Sequence, residues 1–242
     1  MDESSLTVVE KLFTFEDCGG SQSLTVSIPE VLDPHYGMYV WPCAVVLSQY
    51  VWKTRSELQH KTVLEIAPQH IRRVMKSVCE LQLGAGVSLP GVVAAKCGAR
   101  VILSDSAELP LCLRNCRRSC DANHLPDVPV IGLTWGQVSP ELLSLPPVDV
   151  ILGSDVFYEP EDFEDVLVTV SFIVRRNPHA QLWTTYQERS ADWSIDALLL
   201  KWDLKCVNVP LETFDANKTR LAGSMLPGNH TVQMMIISKR EL

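Results

Sequence analysis

Short apolar runs alternate with segments of helical length along most of the chain, and this alternation predicts an α/β sheet. Seven apolar runs are predicted core strands: Thr62 to Ile66, Val101 to Leu103, Val128 to Leu133, Val148 to Leu152, Leu182 to Thr185, Cys206 to Val209 and Val232 to Ile237. Five predicted helices accompany them: Pro42 to Leu58, Val92 to Cys97, Leu109 to Cys120, Phe163 to Val174 and Trp193 to Trp202. This order of elements is typical of a doubly wound, Rossmann-like sheet that has helices on both faces and closes on a late C-terminal strand.

An N-terminal β-hairpin is predicted ahead of this sheet. The stretch from Leu24 to Ile28 alternates apolar and polar residues, as a half-buried strand does, and Gly19-Gly20 can turn the chain back from a partner strand at Leu12 to Phe15. The chain contains no repeat and no linker rich in Pro, Gly or Ser. We therefore predict a single domain over residues 1–242, with residues 1–36 as an N-terminal extension that holds the hairpin.

The composition indicates a chain that buries a substantial core, since 46% of its 242 residues are hydrophobic and 21% are charged. A formal net charge of -8 disfavours direct binding of nucleic acid through an overall positive field and suits a basic protein partner. No apolar stretch approaches the roughly 18 residues of a membrane span. Because the acidic segment from Met1 to Ser5 lacks the features of a secretory signal, we expect a soluble intracellular protein without a membrane partner.

The eight cysteines indicate a reducing compartment, because the chain is long and shows no export signal. Cys112, Cys116 and Cys120 recur every four residues and would share one face of a helix. Three thiolates on one face could contribute to an iron–sulfur cluster, although no fourth ligand is evident. Packing of the three thiols into the core is the favoured interpretation, and no metal site is predicted.

A glycine-rich loop and an acidic strand end form the first chemical signal. Leu83-Gly84-Ala85-Gly86 follows an apolar run and precedes the predicted helix from Val92, so its backbone can approach a cofactor closely. About 20 residues later, the strand from Val101 ends at Asp105, whose carboxylate suits the hydroxyls of a ribose. Position 89, where a dinucleotide motif requires a glycine, is Leu89, which disfavours a nicotinamide oxidoreductase. The combination predicts a nucleoside cofactor without a pyrophosphate.

A second chemical signal follows the run from Val148 to Leu152. Asp155 and Tyr158 would lie at the carboxyl edge of the sheet, where such folds bind ligands. A carboxylate there attracts a cationic side chain, and a phenol can orient its nitrogen. The alternatives are that Asp155 caps a helix beginning near Pro160 and that Tyr158 is an ordinary packed aromatic.

In content and order these motifs resemble the seven-strand S-adenosylmethionine-dependent protein methyltransferases of family sixteen, and the resemblance covers the whole chain. It rests on five features: Gly37-Met38-Tyr39-Val40-Trp41-Pro42, Leu83-Gly84-Ala85-Gly86, Asp105, Leu133-Thr134-Trp135-Gly136 and Asp155-Val156-Phe157-Tyr158. The segment Tyr186-Gln187-Glu188-Arg189, further along the chain, also fits the family pattern. It implies a Rossmann-like methyltransferase fold with S-adenosyl-L-methionine as the cofactor.

The resemblance also implies a role for individual residues. Seven would bind the cofactor: Trp41, Gly84, Ala85, Gly86, Asp105, Trp135 and Ser154. The three loop residues would hold the methionine part of the cofactor, and the Asp105 carboxylate would hold its ribose. Trp135 would lie against the adenine, and Trp41 would close over the cofactor. The backbone of the serine would contact it as well. Asp155 and Tyr158 would be the catalytic residues, as an aspartate-x-x-tyrosine substrate motif. Taken singly, each tryptophan could also be a core anchor.

Between Ile66 and Gly84 the chain departs from the family pattern. Deleting residues 67–83 would join Val63-Leu64-Glu65-Ile66 directly to the glycine loop, so we interpret these residues as an insertion, with alternative splicing as a hypothesis. Thr62 to Ile66 could remain the first core strand while the insertion bulges out, or Val78 to Leu83 could replace it. We favour the replacement, because the glycine loop needs a strand end immediately before it. Either arrangement is expected to weaken cofactor binding.

The substrate implied by the resemblance is a basic protein. One branch of the family methylates histone arginine, which makes a histone tail the expected partner, whereas most relatives methylate lysine in other proteins such as chaperones. A guanidinium has a pKa above about 12, so its methylation depends on carboxylates that hold the nitrogen. Glu159 and Glu161 stand behind Asp155 as candidates for that role.

Three hypotheses about function remain at this point. The first is a histone-arginine methyltransferase involved in chromatin regulation, located in the nucleus and the cytoplasm. The second is a protein-lysine methyltransferase. The third is a non-catalytic form that keeps its partner-binding surfaces and binds the cofactor poorly.

Overall fold

The computed structural model describes residues 7–17, 19–32, 39–67, 87–190, 194–226 and 231–240. The strands within these ranges are β1 (Thr7–Glu16), β2 (Ser23–Leu32), β3 (Thr62–Ile66), β4 (Arg100–Asp105), β5 (Val130–Gly132), β6 (Val150–Ser154), β7 (Gln181–Gln187), β8 (Leu204–Val209), β9 (Arg220–Leu221), β10 (Ser224–Met225) and β11 (Val232–Lys239). The helices are α1 (Pro42–Lys53), α2 (Arg55–Leu58), α3 (Leu89–Lys96), α4 (Pro110–Ala122), α5 (Pro140–Ser144), α6 (Phe163–Arg176) and α7 (Asp196–Lys201). All seven predicted core strands are present, and the predicted first helix is divided at Thr54.

Seven strands form one mixed sheet in the order β5-β4-β3-β6-β7-β11-β8. The first five in this order run parallel, so β4, β3, β6 and β7 end at the same edge. The C-terminal strand β11 lies antiparallel between β7 and β8 and does not close the sheet from outside. The prediction of a Rossmann-like sheet is confirmed, and its carboxyl edge is the place where such folds bind ligands.

Helices cover both faces of the sheet, as predicted. Successive strand residues point to opposite faces, so Val63 packs in a core with α1, α3 and α4 while Leu64 packs in a core with α5, α6 and α7. This double coverage explains why the central parallel strands are apolar on both sides.

The predicted N-terminal hairpin is also confirmed. β1 pairs antiparallel with β2, and Phe13 lies opposite Val26, both buried in the core on the α4 side of the sheet. The side chain of Asn123, just past α4, accepts a hydrogen bond from the backbone N–H of Ser27 at 3.0 Å and donates one to its carbonyl at 2.6 Å. Packing against helix α4 and these two hydrogen bonds hold the hairpin against the sheet.

The central strand differs from the favoured prediction. Thr62–Ile66 forms β3 between β4 and β6 with every residue buried, so the prediction that Val78 to Leu83 replaces it is wrong. The earlier strand fits the centre better because its aliphatic side chains serve both cores. Its one acidic residue, Glu65, accepts a hydrogen bond from the backbone N–H of Gly91 at 3.0 Å. Residues 68–86 lie outside the described residues, so the insertion at 67–83 and the domain limits stay predictions.

The cysteine stripe is a packed helix face. Cys112, Cys116 and Cys120 lie buried on the inner side of α4, and none of the three forms a disulfide bond. Burial raises the pKa of each thiol, that of Cys120 to about 11, which favours the protonated form over the thiolate that a cluster would need. In the described part of the chain, no group of three or more His, Cys, Asp or Glu side chains is arranged to hold a metal ion.

No helix among the described residues is both long enough and apolar enough to cross a membrane.

Candidate cofactor and substrate site

The structure gathers most of the predicted site residues at the carboxyl edge of the sheet. Asp105 is the last residue of β4 and Ser154 the last residue of β6, on either side of β3. Trp135 follows the end of β5 by three residues, and Asp155 directly follows β6. Gly84, Ala85 and Gly86 lie outside the described residues.

Two carboxyl groups on adjacent strands are buried near this edge. Asp105 is fully buried, and its Oδ1 accepts a hydrogen bond from the backbone N–H of Ser106 at 2.7 Å. Burial raises the pKa of Glu65 to about 8, and the negative charge of Asp105 contributes. A Cβ on Gly91 would collide with the Glu65 carboxyl group, so the start of α3 can lie this close only with glycine at that position.

The carboxyl groups of Glu65 and Asp105 fit the cofactor implied by the fold. Two buried carboxyl groups can accept hydrogen bonds from the ribose hydroxyls and from the ammonium of S-adenosylmethionine. The position of Asp105 at a strand end is the one at which Rossmann-like sheets bind a ribose. The individual contacts of Asp105 and Ser154 with the cofactor stay predictions.

The two candidate tryptophans have different surroundings. Trp135 is buried in the core that also contains Leu133, Phe157 and Phe163, so it has the position of a core anchor as well as a place at the cofactor edge. Trp41 precedes α1, is 37% exposed and lies 4.7 Å from the ring of Tyr39, centroid to centroid. Its exposed ring is free to contact a bound molecule, and the adenine and cofactor-covering roles of the two residues stay predictions.

Asp155 adopts a left-handed backbone conformation with φ at 57°. Its backbone N–H donates to the carbonyl of Thr185 at 2.6 Å, and this bond continues the pairing of β6 with β7 past Ser154. Its carboxylate accepts two hydrogen bonds from Arg189, at 2.9 Å and 2.6 Å, and one from the backbone N–H of Gln187 at 3.2 Å. The alternative role as a helix cap is wrong, because the 3₁₀ turn Pro160–Asp162 has no side-chain cap.

Tyr158 and Cys43 flank this ion pair. The guanidinium carbon of Arg189 lies 5.4 Å from the centre of the half-buried Tyr158 ring. Cys43 lies in the first turn of α1, and the hydroxyl of Thr185 donates to its carbonyl oxygen at 2.8 Å. Burial and the nearby Asp155 carboxylate raise the pKa of the Cys43 thiol, which keeps it neutral beside the ion pair.

The pairing of Arg189 with Asp155 was not predicted from the sequence. A signal was present, because a run containing Arg189 follows β7 and Asp155 follows the neighbouring parallel strand β6. Opposite charges just past the ends of adjacent parallel strands are close in space. Gln187 and Cys43 offered no such signal, since one contributes a backbone group and the other resembles a core residue.

A cavity of about 320 Å³ lies beside Arg189. Phe157, Phe163 and Tyr186 supply aromatic surface, and Glu188 and Asp196 supply carboxylates. The cavity joins the end of β7 to the start of α7 and therefore borders the edge that holds the candidate site.

Comparison with known proteins identifies relatives over nearly the whole chain. Histone-arginine methyltransferase METTL23 of Xenopus laevis is 61% identical over 239 residues, which cover 98% of this chain and 95% of that protein. The protein of the same name from Homo sapiens is 60% identical over 201 residues, covering 83% of this chain and 97% of that protein. Protein N-lysine methyltransferase METTL21A of Mus musculus is 34% identical over 139 residues, covering 57% of this chain and 56% of that protein.

A solved structure supports the fold. The 16S rRNA N2 G1207 methyltransferase RsmC of T. Thermophilus, in complex with AdoMet and guanosine, superimposes with a TM-score of 0.55 at 11% identity, covering 96% of this chain and 51% of that chain. The family model described as lysine methyltransferase matches residues 21–195. The resemblance to methyltransferase family sixteen is thereby confirmed, and S-adenosylmethionine is the cofactor. The chain belongs to the lysine methyltransferase family and is an S-adenosylmethionine-dependent protein methyltransferase.

Proposed function

We propose that this protein methylates arginine in histone tails. The observation that supports the proposal most directly is the position of Asp155 and Tyr158, which lie at the same sheet edge as Asp105 and Ser154. A substrate side chain that reaches the first pair would meet a cofactor bound by the second pair. The names of the relatives that are about 60% identical support arginine as the target.

The residues of the chain divide the work as follows. S-adenosylmethionine, when bound, supplies an activated methyl group, so the protein mainly has to align the nitrogen that receives it. We assign cofactor binding to Asp105, Trp135, Trp41 and the backbone of Ser154, together with the glycine loop at 84–86. The position of Asp105 supports this assignment, because this buried carboxylate ends β4 at the sheet edge where Rossmann-like folds bind a ribose.

We assign substrate alignment to Asp155 and Tyr158. A carboxylate oxygen can accept a hydrogen bond from a guanidinium, and a phenol can orient a nitrogen beside it. Asp155 demonstrates the first geometry on Arg189 of the same chain, with donor–acceptor distances of 2.9 and 2.6 Å. Glu159 and Glu161 continue along the same edge and are further candidates for contacts with a cationic substrate.

Histone tails are basic, and the net charge of -8 supports a basic protein partner. A role in chromatin regulation and a location in the nucleus and cytoplasm follow from this substrate and are part of the proposal. Chaperones remain possible substrates only under the alternative of lysine methylation, which the description of the matched family supports.

The experiment that tests the proposal is methyl transfer to core histones, followed by mass spectrometry of the modified residues. Two synthetic tail peptides that differ only by arginine or lysine at one position provide the matched comparison. We expect methylation of the histones and of the arginine peptide. Methylation confined to the lysine peptide would establish the alternative specificity.

A parallel titration with S-adenosylmethionine separates the catalytic form from the non-catalytic one. It compares the full chain with a variant that lacks residues 67–83. If only the deletion variant binds the cofactor and methylates histones, the chain with the insertion is the cofactor-impaired form.

A further inference from the structure

The Asp155 carboxylate is held by its own chain from several sides. Arg189 donates to both oxygens, and the backbone N–H of Gln187 donates to Oδ1. The same guanidinium also donates to the Gln187 carbonyl at 3.1 Å, so Asp155, Gln187 and Arg189 form a closed network. The side chain of Asp155 is only 14% exposed and that of Arg189 32% exposed.

This enclosure makes the orientation of Asp155 dependent on Arg189. A mostly buried carboxylate without a cationic partner is costly, and its orientation is no longer fixed when the partner is removed. The bidentate fork of an arginine also restricts both oxygens to one plane, which a single point charge does not do.

We propose that Arg189 is a positioning residue of the methyl-transfer site, which fixes the plane and direction of the Asp155 carboxylate toward the substrate nitrogen. This inference rests on the proposed function for its kinetic meaning, because it concerns the same carboxylate. Arg189 acts through Asp155 and is not itself assigned contact with the substrate or the cofactor.

A competing interpretation is that Arg189 merely occupies the place of the substrate and has to leave. The guanidinium does lie between Asp155 and the ring of Tyr158. However, it makes three hydrogen bonds within the network, and its departure would leave both Asp155 and the Gln187 carbonyl without these donors. A fixed partner therefore explains the geometry better than a displaceable one.

The kinetic test compares Arg189→Gln and Arg189→Lys with the wild-type chain, using the arginine peptide as substrate. We expect Arg189→Gln to lower kcat about 10- to 100-fold, because misorientation of an aligning group has effects of that size. The peptide KM and the S-adenosylmethionine Kd should change much less. Arg189→Lys, which keeps the charge without the fork, should recover part of the lost kcat.

Arg55→Gln is the matched control. Arg55 donates to Asp17 at 2.7 Å and lies against the ring of Trp52, so it has the same kinds of partner as Arg189. It joins α2 to the turn of the hairpin, away from the carboxyl edge. We expect both glutamine variants to lower the melting temperature, and only Arg189→Gln to lower kcat.

A structural measurement decides the proposal independently of activity. The backbone amide of Gln187 donates to Asp155 Oδ1, so its NMR chemical shift and hydrogen exchange report the position of that carboxylate. We expect Arg189→Gln to shift this signal and speed its exchange, while Arg55→Gln leaves it in place.

The outcomes separate the two proposals. A wild-type chain that binds the cofactor but methylates no arginine would refute the proposed function, and the amide signal would still test the positioning role. An unchanged Gln187 amide in Arg189→Gln would overturn that role. An unchanged or increased kcat in Arg189→Gln would also overturn the positioning role. A lower peptide KM in the same variant would favour displacement of Arg189 by the substrate.

Discussion

Glu65 and Asp105 place two carboxyl groups on adjacent central strands, both inside the protein. Water cannot solvate a charge there, and the negative charge of Asp105 further disfavours ionisation of Glu65. Glu65 accepts a hydrogen bond from the backbone N–H of Gly91, which compensates only part of this cost. At neutral pH Glu65 is therefore mostly protonated.

This environment makes the stability of the protein depend on pH through Glu65. The pKa rises from its ordinary 4.5 in the unfolded chain to about 8 in the folded one, so the folded chain holds more protons between these values. Its contribution to stability is therefore constant below pH 4.5, falls as pH rises through that window and levels off above pH 8. Glu65→Gln removes the dependence, and relative to the wild type it should gain about 4 kcal/mol between pH 5 and pH 9.

Urea unfolding at several pH values measures this difference. Glu57→Gln removes a carboxylate from an exposed position in α2 and serves as the control. We expect only the Glu65 variant to change the slope of stability against pH. Parallel curves for Glu65→Gln and the wild type would contradict the raised pKa.

Asp105 supports a separate prediction about the cofactor. Asp105→Ala should weaken S-adenosylmethionine binding by about 1.5–3 kcal/mol, the scale of hydrogen bonds to a charged group. Asp149→Ala is the control, because Asp149 precedes β6 at the opposite edge of the sheet and binds the backbone N–H of Thr62. Calorimetric titration of both variants gives the comparison, and an unchanged affinity of Asp105→Ala would refute its role at the ribose.

At the scale of single elements, the N-terminal hairpin is a structural part of the domain core. Phe13 is fully buried against it, whereas the neighbouring residue of the same strand, Leu12, is 62% exposed. Phe13→Ala should therefore lower the free energy of unfolding by about 3–5 kcal/mol. Leu12→Ala should cost well under about 1 kcal/mol, since it removes little buried surface.

Chemical denaturation of the two hairpin variants tests this difference. Equally small losses of unfolding free energy in Phe13→Ala and Leu12→Ala would mean that the hairpin unfolds independently of the sheet. A large loss for Phe13→Ala alone would show that the hairpin and the sheet unfold together.

The elements could be predicted because the central strands contain apolar runs, such as Val150 to Leu152, and each parallel strand is followed by a helix. The prediction that Val78 to Leu83 forms the first core strand was wrong. It relied on continuity with the glycine loop, whereas burial on both faces of the sheet favours Thr62 to Ile66. The pairing of Asp155 with Arg189 depends on the order of strands in space, which the pattern along the chain does not contain. Sequence periodicity thus identifies elements more reliably than the side-chain partners that their assembly creates.

At the scale of the whole molecule, the acidic charge balance and the site have to be considered together. Arg189 neutralises Asp155, so this carboxylate contributes direction more than net attraction. Attraction of a basic segment must then come from other acids near the carboxyl edge. The exposed Glu161 follows the proposed substrate residues Asp155 and Tyr158, and Glu188 borders the adjacent cavity.

The last prediction concerns this long-range attraction. Because exposed charges are screened beyond about 10 Å at 0.1 M salt, the KM for a basic histone peptide should rise several-fold between low and moderate salt. The affinity for S-adenosylmethionine should respond less, because the carboxylate assigned to it, Asp105, is fully buried. Glu161→Gln should raise the peptide KM at low salt, and the same substitution at Glu57, in α2 ahead of the amino end of β3, should not. Equal effects of the two substitutions would mean that overall charge, and not the acids at the site, attracts the substrate. A KM that does not depend on salt would show instead that short-range contacts alone select it.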